Sequence, residues 1–139
     1  MKAPIVVSLA QCDSLLGSVS ANLEASLRVI SEATQARSQL VVFPELSLTG
    51  YSLRDLTPDV ALREQDGRLD PILKASNSID IVLGWIEESA EHAFYNVAGY
   101  FSKGRLLHKH RKIYPVDYGM FDERRDWAAG EMLAAFDTG

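Results

Sequence analysis

Leu40-Val-Val-Phe-Pro-Glu-Leu-Ser-Leu-Thr-Gly-Tyr51 decides how the rest of the chain is read. A short apolar run over residues 40–43 reads as a buried strand. It stops at Pro44, which has no N–H to donate to a ladder. Glu45 is thereby delivered to a strand tip, the place where α/β sheets gather their reactive groups. On its own, such a glutamate reads as a solvated acid or a helix cap.

Working outward, residues 5–10 form an apolar run broken only by Ser8 and read as a first strand buried on both faces. A turn around Gly17 follows, with Ser18 or Ser20 placed to cap a helix. Leu23, Leu27, Ile30 and Ala33 recur at helical spacing between charged positions. Strand, helix, strand in this order predicts a parallel pair with a right-handed crossover.

Residues 51–70 lack periodicity and predict a loop with short helical pieces beside the strand tip. Asp70-Pro71 predicts a helix start, with Ile72, Leu73 and Ala75 toward the core. Residues 79–86 predict an apolar strand. Residues 93–101 and 105–108 predict a hairpin turning at Lys103-Gly104, and residues 132–136 a further short strand. No repeat, low-complexity tract or linker interrupts the chain, which reads as one unit.

Composition bounds the function. The chain has 139 residues, 47% of them hydrophobic, enough for one cored domain. Fourteen basic and 19 acidic side chains give a net charge of −5, which argues against nucleic acid as the main partner. There is no apolar run of membrane-spanning length. The N-terminal residues are too short a stretch for a signal peptide. A single cysteine, Cys12, excludes an internal disulfide and fits a reducing cytoplasm.

A second dense stretch is His108-Lys-His-Arg-Lys-Ile-Tyr-Pro-Val-Asp-Tyr-Gly-Met-Phe-Asp-Glu-Arg-Arg-Asp-Trp127. Strand alternation turns one of Arg111 and Lys112 inward. Lysines protecting an edge strand would give the same pattern, as would a phosphate-binding patch. His108 and His110 alternate as two metal ligands could, but no matching third ligand has suitable spacing, so no metal is expected.

Taken together, these segments resemble the carbon–nitrogen hydrolase (nitrilase) superfamily, in particular its amidase branch and the glutamine-hydrolysing domain of NAD synthetases. Four features carry the resemblance, in order along nearly the whole chain. Gln11 and Asn22 flank a Leu-Leu-Gly turn. Residues 43–56 look like the glutamate segment, Tyr95-Asn96 with Gly104 like the central hairpin, and residues 111–115 with 118–123 like the lysine segment.

The resemblance implies a four-layer α-β-β-α sandwich, incomplete in this chain, which would be the N-terminal part of the domain. It implies hydrolysis of a non-peptide carbon–nitrogen bond, of an amide (glutamine's included) or a nitrile, with no cofactor. Glu45 would be the base that moves the thiol proton. Lys112 would stabilise the tetrahedral oxyanion. Glu123 would orient the lysine or the substrate, and Tyr118 would line the substrate pocket. The family's nucleophilic cysteine belongs on a strand after the lysine segment, and this sequence has none there. Cys12 reads as a half-buried hydrophobe. Trp127-Ala-Ala-Gly130 lacks the family's proline in that loop. The expected partners are a small-molecule amide and either a second copy or a second chain carrying the missing half. The rival expectation is an inactive homologue that acts as an interaction module.

Overall fold

In the computed structural model, which describes residues 4–138, five strands lie in the order β1-β2-β3-β4-β5. The first three residues and Gly139 fall outside the described residues. β1 (Val7–Leu9) and β2 (Leu40–Val42) are parallel, in the register Val7↔Leu40 to Leu9↔Val42. The helix α1 (Val19–Gln35) joins them, as the apolar spacing predicts. β2 then pairs in parallel with β3 (Asp80–Glu88). β3, β4 (Phe94–Ser102) and β5 (Arg105–Arg111) form an antiparallel meander. The β4–β5 turn sits at Lys103-Gly104 as expected. Both residues have positive φ, 52° and 73°, the twist that a tight two-residue hairpin requires.

Alternation along β3 sorts the side chains onto two faces. Ile81, Leu83 and Trp85 are fully buried and share their face with Phe101 and Val97 of β4. Helix α1, the single-turn α2 (Thr57–Val60) and α3 (Asp70–Ala75) cover that face. α3 starts where the sequence predicts a helix, but one residue early: Asp70 is its first residue rather than its cap and Pro71 its second, and Ile72 is its fully buried residue.

The other face is open among the described residues. Val7 is 44% exposed and Leu9 79%, Ala98 is exposed, and Val42, Val82 and Tyr100 are half-buried. The described residues thus form two layers, one sheet and one set of helices.

Three expectations are corrected. β1 is not buried on both faces: it is the sheet edge, and an apolar run cannot reveal which neighbours cover it. Ser18 occupies the N-cap of α1 but makes no side-chain cap bond. Asn22 secures that corner instead. Its Oδ1 accepts from the Leu15 N–H (2.8 Å), and its Nδ2 donates to the Leu15 and Leu48 carbonyls (2.8 and 3.0 Å). Residues 132–136 form no strand. Met132 and Leu133 are exposed there, and Phe136 stacks on His108 with ring centroids 4.3 Å apart.

Candidate active site

The chain leaves β2 through Phe43, whose N–H donates to the Val82 carbonyl, and reverses at Pro44. Leu46 takes a left-handed conformation (φ 51°), which is strained for a residue with a Cβ. Leu46, Leu48 and Thr49 are fully buried. The Gly50 N–H donates to the Leu46 carbonyl (2.7 Å) and the Leu48 N–H to the Gly84 carbonyl (3.0 Å). Glu45 therefore projects from a tightly bound turn, with its side chain 48% exposed.

Lys112 lies just past β5. Its N–H donates to the Asn96 carbonyl of β4, and its carbonyl accepts from Gly130 N–H, both at 2.8 Å. Only glycine fits there, since a Cβ on residue 130 would lie 2.3 Å from the Arg111 carbonyl oxygen.

Alternation separates Lys112 from its neighbour. Arg111 and Lys109 face the helix-covered side, where both donate to the buried carboxylate of Glu87, Arg111 from Nε at 2.7 Å. The hydrogen bonds and charges of Arg111 and Lys109 outweigh the burial that would raise Glu87, and hold it below the usual carboxylate range. Lys112 emerges on the open side.

There Lys112 meets two carboxylates. Its Nζ lies 2.9 Å from Glu45 Oε1 and 2.9 Å from Glu123 Oε1. Burial pulls the lysine down, but the hydrogen bonds and charges of Glu45 and Glu123 outweigh it and leave it raised. Lys112 is therefore an ammonium at neutral pH. Two of its three N–H donors are engaged.

The two carboxylates differ. Glu123 opens the single-turn helix α4 (Glu123–Asp126), and its side chain is only 2% exposed. Its Oε1 accepts from Lys112 and from the Tyr51 hydroxyl, and its Oε2 from Val116 N–H (2.8 Å). Glu123 N–H in turn donates to the Val116 carbonyl (3.0 Å), closing the 116–123 loop. Burial raises Glu123, and the hydrogen bonds from Tyr51, Val116 and Lys112 more than offset it, so it sits below the usual carboxylate range. Glu45 carries both its partners on one oxygen: Asn96 Nδ2 donates to Oε1 at 2.7 Å, alongside Lys112. Glu45 Oε2 accepts nothing among the described residues. Glu45, Asn96, Lys112 and His110 line a cleft of about 290 Å³ on the open face.

The structure thus brings together three of the four residues singled out in the sequence: Glu45, Lys112 and Glu123. Tyr118 stands apart from them, 74% exposed, with Phe121 as its ring neighbour. Cys12 is half-buried, and its thiol is pushed up by burial and by the charge of Asp13. Among the described residues no group of His, Cys, Asp and Glu could hold a metal ion, and no helix is long and apolar enough to cross a membrane.

The bonding roles of three residues escape the sequence reading, although Asn96 and Tyr51 fall within the matched segments. Asn96 is 5% exposed within a strand, where asparagine is depleted, and that mismatch is itself a signal. Tyr51 closes the first quoted stretch, and an aromatic with a polar tip calls for a partner when half-buried. Glu87 had no signal beyond its place at the end of an apolar strand.

A sheet of this order with a carboxylate–lysine–carboxylate cluster at one end defines a nitrilase-like α/β protein. The chain belongs to the carbon–nitrogen hydrolase family, whose sequence model matches residues 6–138. The glutamine-dependent NAD(+) synthetase of Thermotoga maritima is 36% identical over 136 residues, covering 96% of this chain and 23% of that protein. The solved glutamine-dependent NAD+ synthetase of Acinetobacter baumannii superposes with a TM-score of 0.80 at 27% identity, covering 94% and 25% of the two chains. Saccharomyces cerevisiae Nit3, a nitrilase-superfamily member, superposes at 0.76 with 25% identity, covering 92% and 49%. The chain thus spans about a quarter of the synthetases and about half of Nit3.

Proposed function

We propose that this chain supplies the base and the oxyanion-stabilising part of an amide-hydrolysing site, as the N-terminal part of a carbon–nitrogen hydrolase domain. The carrying observation is Lys112 Nζ, 2.9 Å from each of Glu45 and Glu123. Acyl transfer from an amide needs an open base and an open cationic donor side by side. Among the described residues, Glu45 Oε2 is the unengaged acceptor, and the third N–H of Lys112 the unengaged donor. Glu123, buried and with three donors already on its carboxylate, holds the lysine rather than moving a proton.

In the proposed cycle, Glu45 accepts the thiol proton as the thiolate adds to the amide carbonyl. Lys112 stabilises the tetrahedral oxyanion. Glu45 returns the proton to the leaving ammonia, leaving a thioester that water hydrolyses. The thiol does not come from Cys12, whose environment disfavours the thiolate. Glutamine is the first substrate to test, since glutamine-dependent synthetases are similar along nearly this whole chain. Tyr118, on the loop that Glu123 closes, would contact that substrate. A reducing cytoplasm suits the thiol step.

The open face of the sheet favours a second reading, an inactive homologue that uses this face to bind another chain. One experiment separates the two. Ammonia release from glutamine is measured for the 139-residue chain alone, and again with a second polypeptide carrying the rest of the Thermotoga glutaminase domain. The catalytic reading expects turnover only in the mixture, lost in Glu45→Gln. Turnover by the chain alone, abolished by Cys12→Ala, overturns the placement of the nucleophile. A folded mixed complex without turnover favours the interaction module.

A further inference from the structure

We propose that Tyr51 is a positioning residue for the site, its hydroxyl acting through Glu123 to keep that carboxylate ionised and aimed at Lys112. The importance of this for catalysis rests on the function proposed above; the physical claim does not.

Glu123 Oε1 accepts from two donors, the Lys112 ammonium and the Tyr51 hydroxyl. A phenol donating to a carboxylate favours the charged form of that carboxylate. It also occupies one lone-pair direction of Oε1, leaving Lys112 the other. With Oε2 held by the Val116 N–H, the carboxylate cannot rotate without breaking a bond. The phenol itself is pushed up by burial, by its bond to Glu123 and by the charges of Glu123 and Glu45, so it remains a donor across the neutral range.

The ring is built to hold the hydroxyl there. It packs edge-on against Trp127 (centroids 5.4 Å) and Phe121 (6.1 Å). Trp127 is held in turn by its N–H to the Glu123 carbonyl (2.8 Å). Tyr51 thus ties the end of the glutamate segment to the loop that carries Glu123, 72 residues further on. The charged groups facing Glu123 are Lys112, Glu45 beyond it, and Arg54, Asp122, Arg125 and Asp126 around the adjoining cleft. Tyr51 stands beside that set as a neutral side-chain donor, and its loss changes hydrogen bonding without changing charge.

The test is Tyr51→Phe in the 139-residue chain, which keeps the ring and removes one oxygen. Glutamate side-chain carbons are followed by ¹³C NMR through an acid titration, with Glu123→Gln assigning the resonance. The expected result is a Glu123 midpoint raised by about one pH unit, the scale of one charge-assisted hydrogen bond. Phe121→Leu, which loosens the packing but leaves the hydroxyl, is expected to leave the midpoint in place. Should Tyr51→Phe unfold in acid, the Lys112 ¹³Cε shift at pH 7 replaces the titration. It is expected to move in Tyr51→Phe and to be indifferent to that change in a Glu123→Gln background. An unmoved Glu123 midpoint in folded Tyr51→Phe overturns the proposal, as does an equal shift in Phe121→Leu, or a Lys112 response that survives in Glu123→Gln. None of these readings depends on turnover, so failure of the hydrolase function leaves them interpretable.

Discussion

Replacing Lys112 by Met removes the one cation that joins Glu45 to Glu123 while keeping much of its length. The two arms of the bridge differ in worth. The Glu45 side chain is 48% exposed, so solvent screens that arm, which contributes under about 1 kcal/mol. The Glu123 side chain is 2% exposed, and breaking a buried pair from one side leaves its charge unmatched, at about 3 kcal/mol or more. Tyr51 and Val116 still donate to Glu123, which keeps the loss at the lower end of that range, about 3 kcal/mol in all. With a urea dependence of about 1–3 kcal/mol per molar, the unfolding midpoint should fall by about 1–3 M at pH 7. The sign with pH is fixed by Glu123. Its folded value lies below the ordinary glutamate value, so its contribution is present above that ordinary value and is lost as pH falls through the folded value. The gap between wild type and Lys112→Met should therefore close on acidification below about pH 4.5. Urea titrations followed by tryptophan fluorescence at pH 7 and near pH 3 measure both. A variant with the wild-type midpoint at pH 7, or a gap that stays constant into acid, would refute the claim that Lys112 serves a buried, ionised Glu123.

Glu87→Gln should lower stability by about 2–3 kcal/mol at pH 7, since Lys109 and Arg111 would face a neutral amide in a buried position; thermal unfolding measures it. Gly130→Ala should cost about 1–3 kcal/mol and speed proteolytic cutting within residues 128–138, because the added methyl meets the Arg111 carbonyl; wild-type melting and cleavage would contradict that contact. We also propose that the open face is covered in solution by a second copy or another chain; sedimentation of the isolated chain as a cooperatively folded 15.4 kDa monomer at micromolar concentration would count against it.

The parts legible in the sequence are those whose cause is local. The β4–β5 hairpin follows from two apolar runs around Lys103-Gly104, and α1 from its apolar stripe. α3 follows from Asp70-Pro71. Glu45 and Lys112 were legible because a proline stop and a motif match placed each at an element's end. What was not legible depends on distant neighbours. The apolar run at β1 does not say that one face lies open. Apolar residues 132–136 do not make a strand without a ladder to join. Tyr118 lies beside Phe121 in sequence and in space, yet nothing local shows that its loop tip is 74% exposed. Asn22, Asn96 and Tyr51 each act through a partner far along the chain, the last across 72 residues.

The placement of Lys112 follows from charge on the opposite side of the sheet. β5 carries cations at 109 and 111 and is followed at once by Lys112, and a slip of one residue would exchange their faces. Glu87, 2% exposed, accepts only from the helix-covered side. Lys109 and Arg111 answer it there, and Arg111 also lies 4.0 Å from the Tyr95 ring centroid. Once those two are committed, the next residue must emerge on the open face, where Glu45 Oε1 is already held by Asn96, and Glu123 by Tyr51 and Val116. The buried ion cluster on one face thus determines the register that assembles the site on the other. A slipped register would leave Glu87 without its cations and Glu123 without its own, two buried carboxylates unpaired at once.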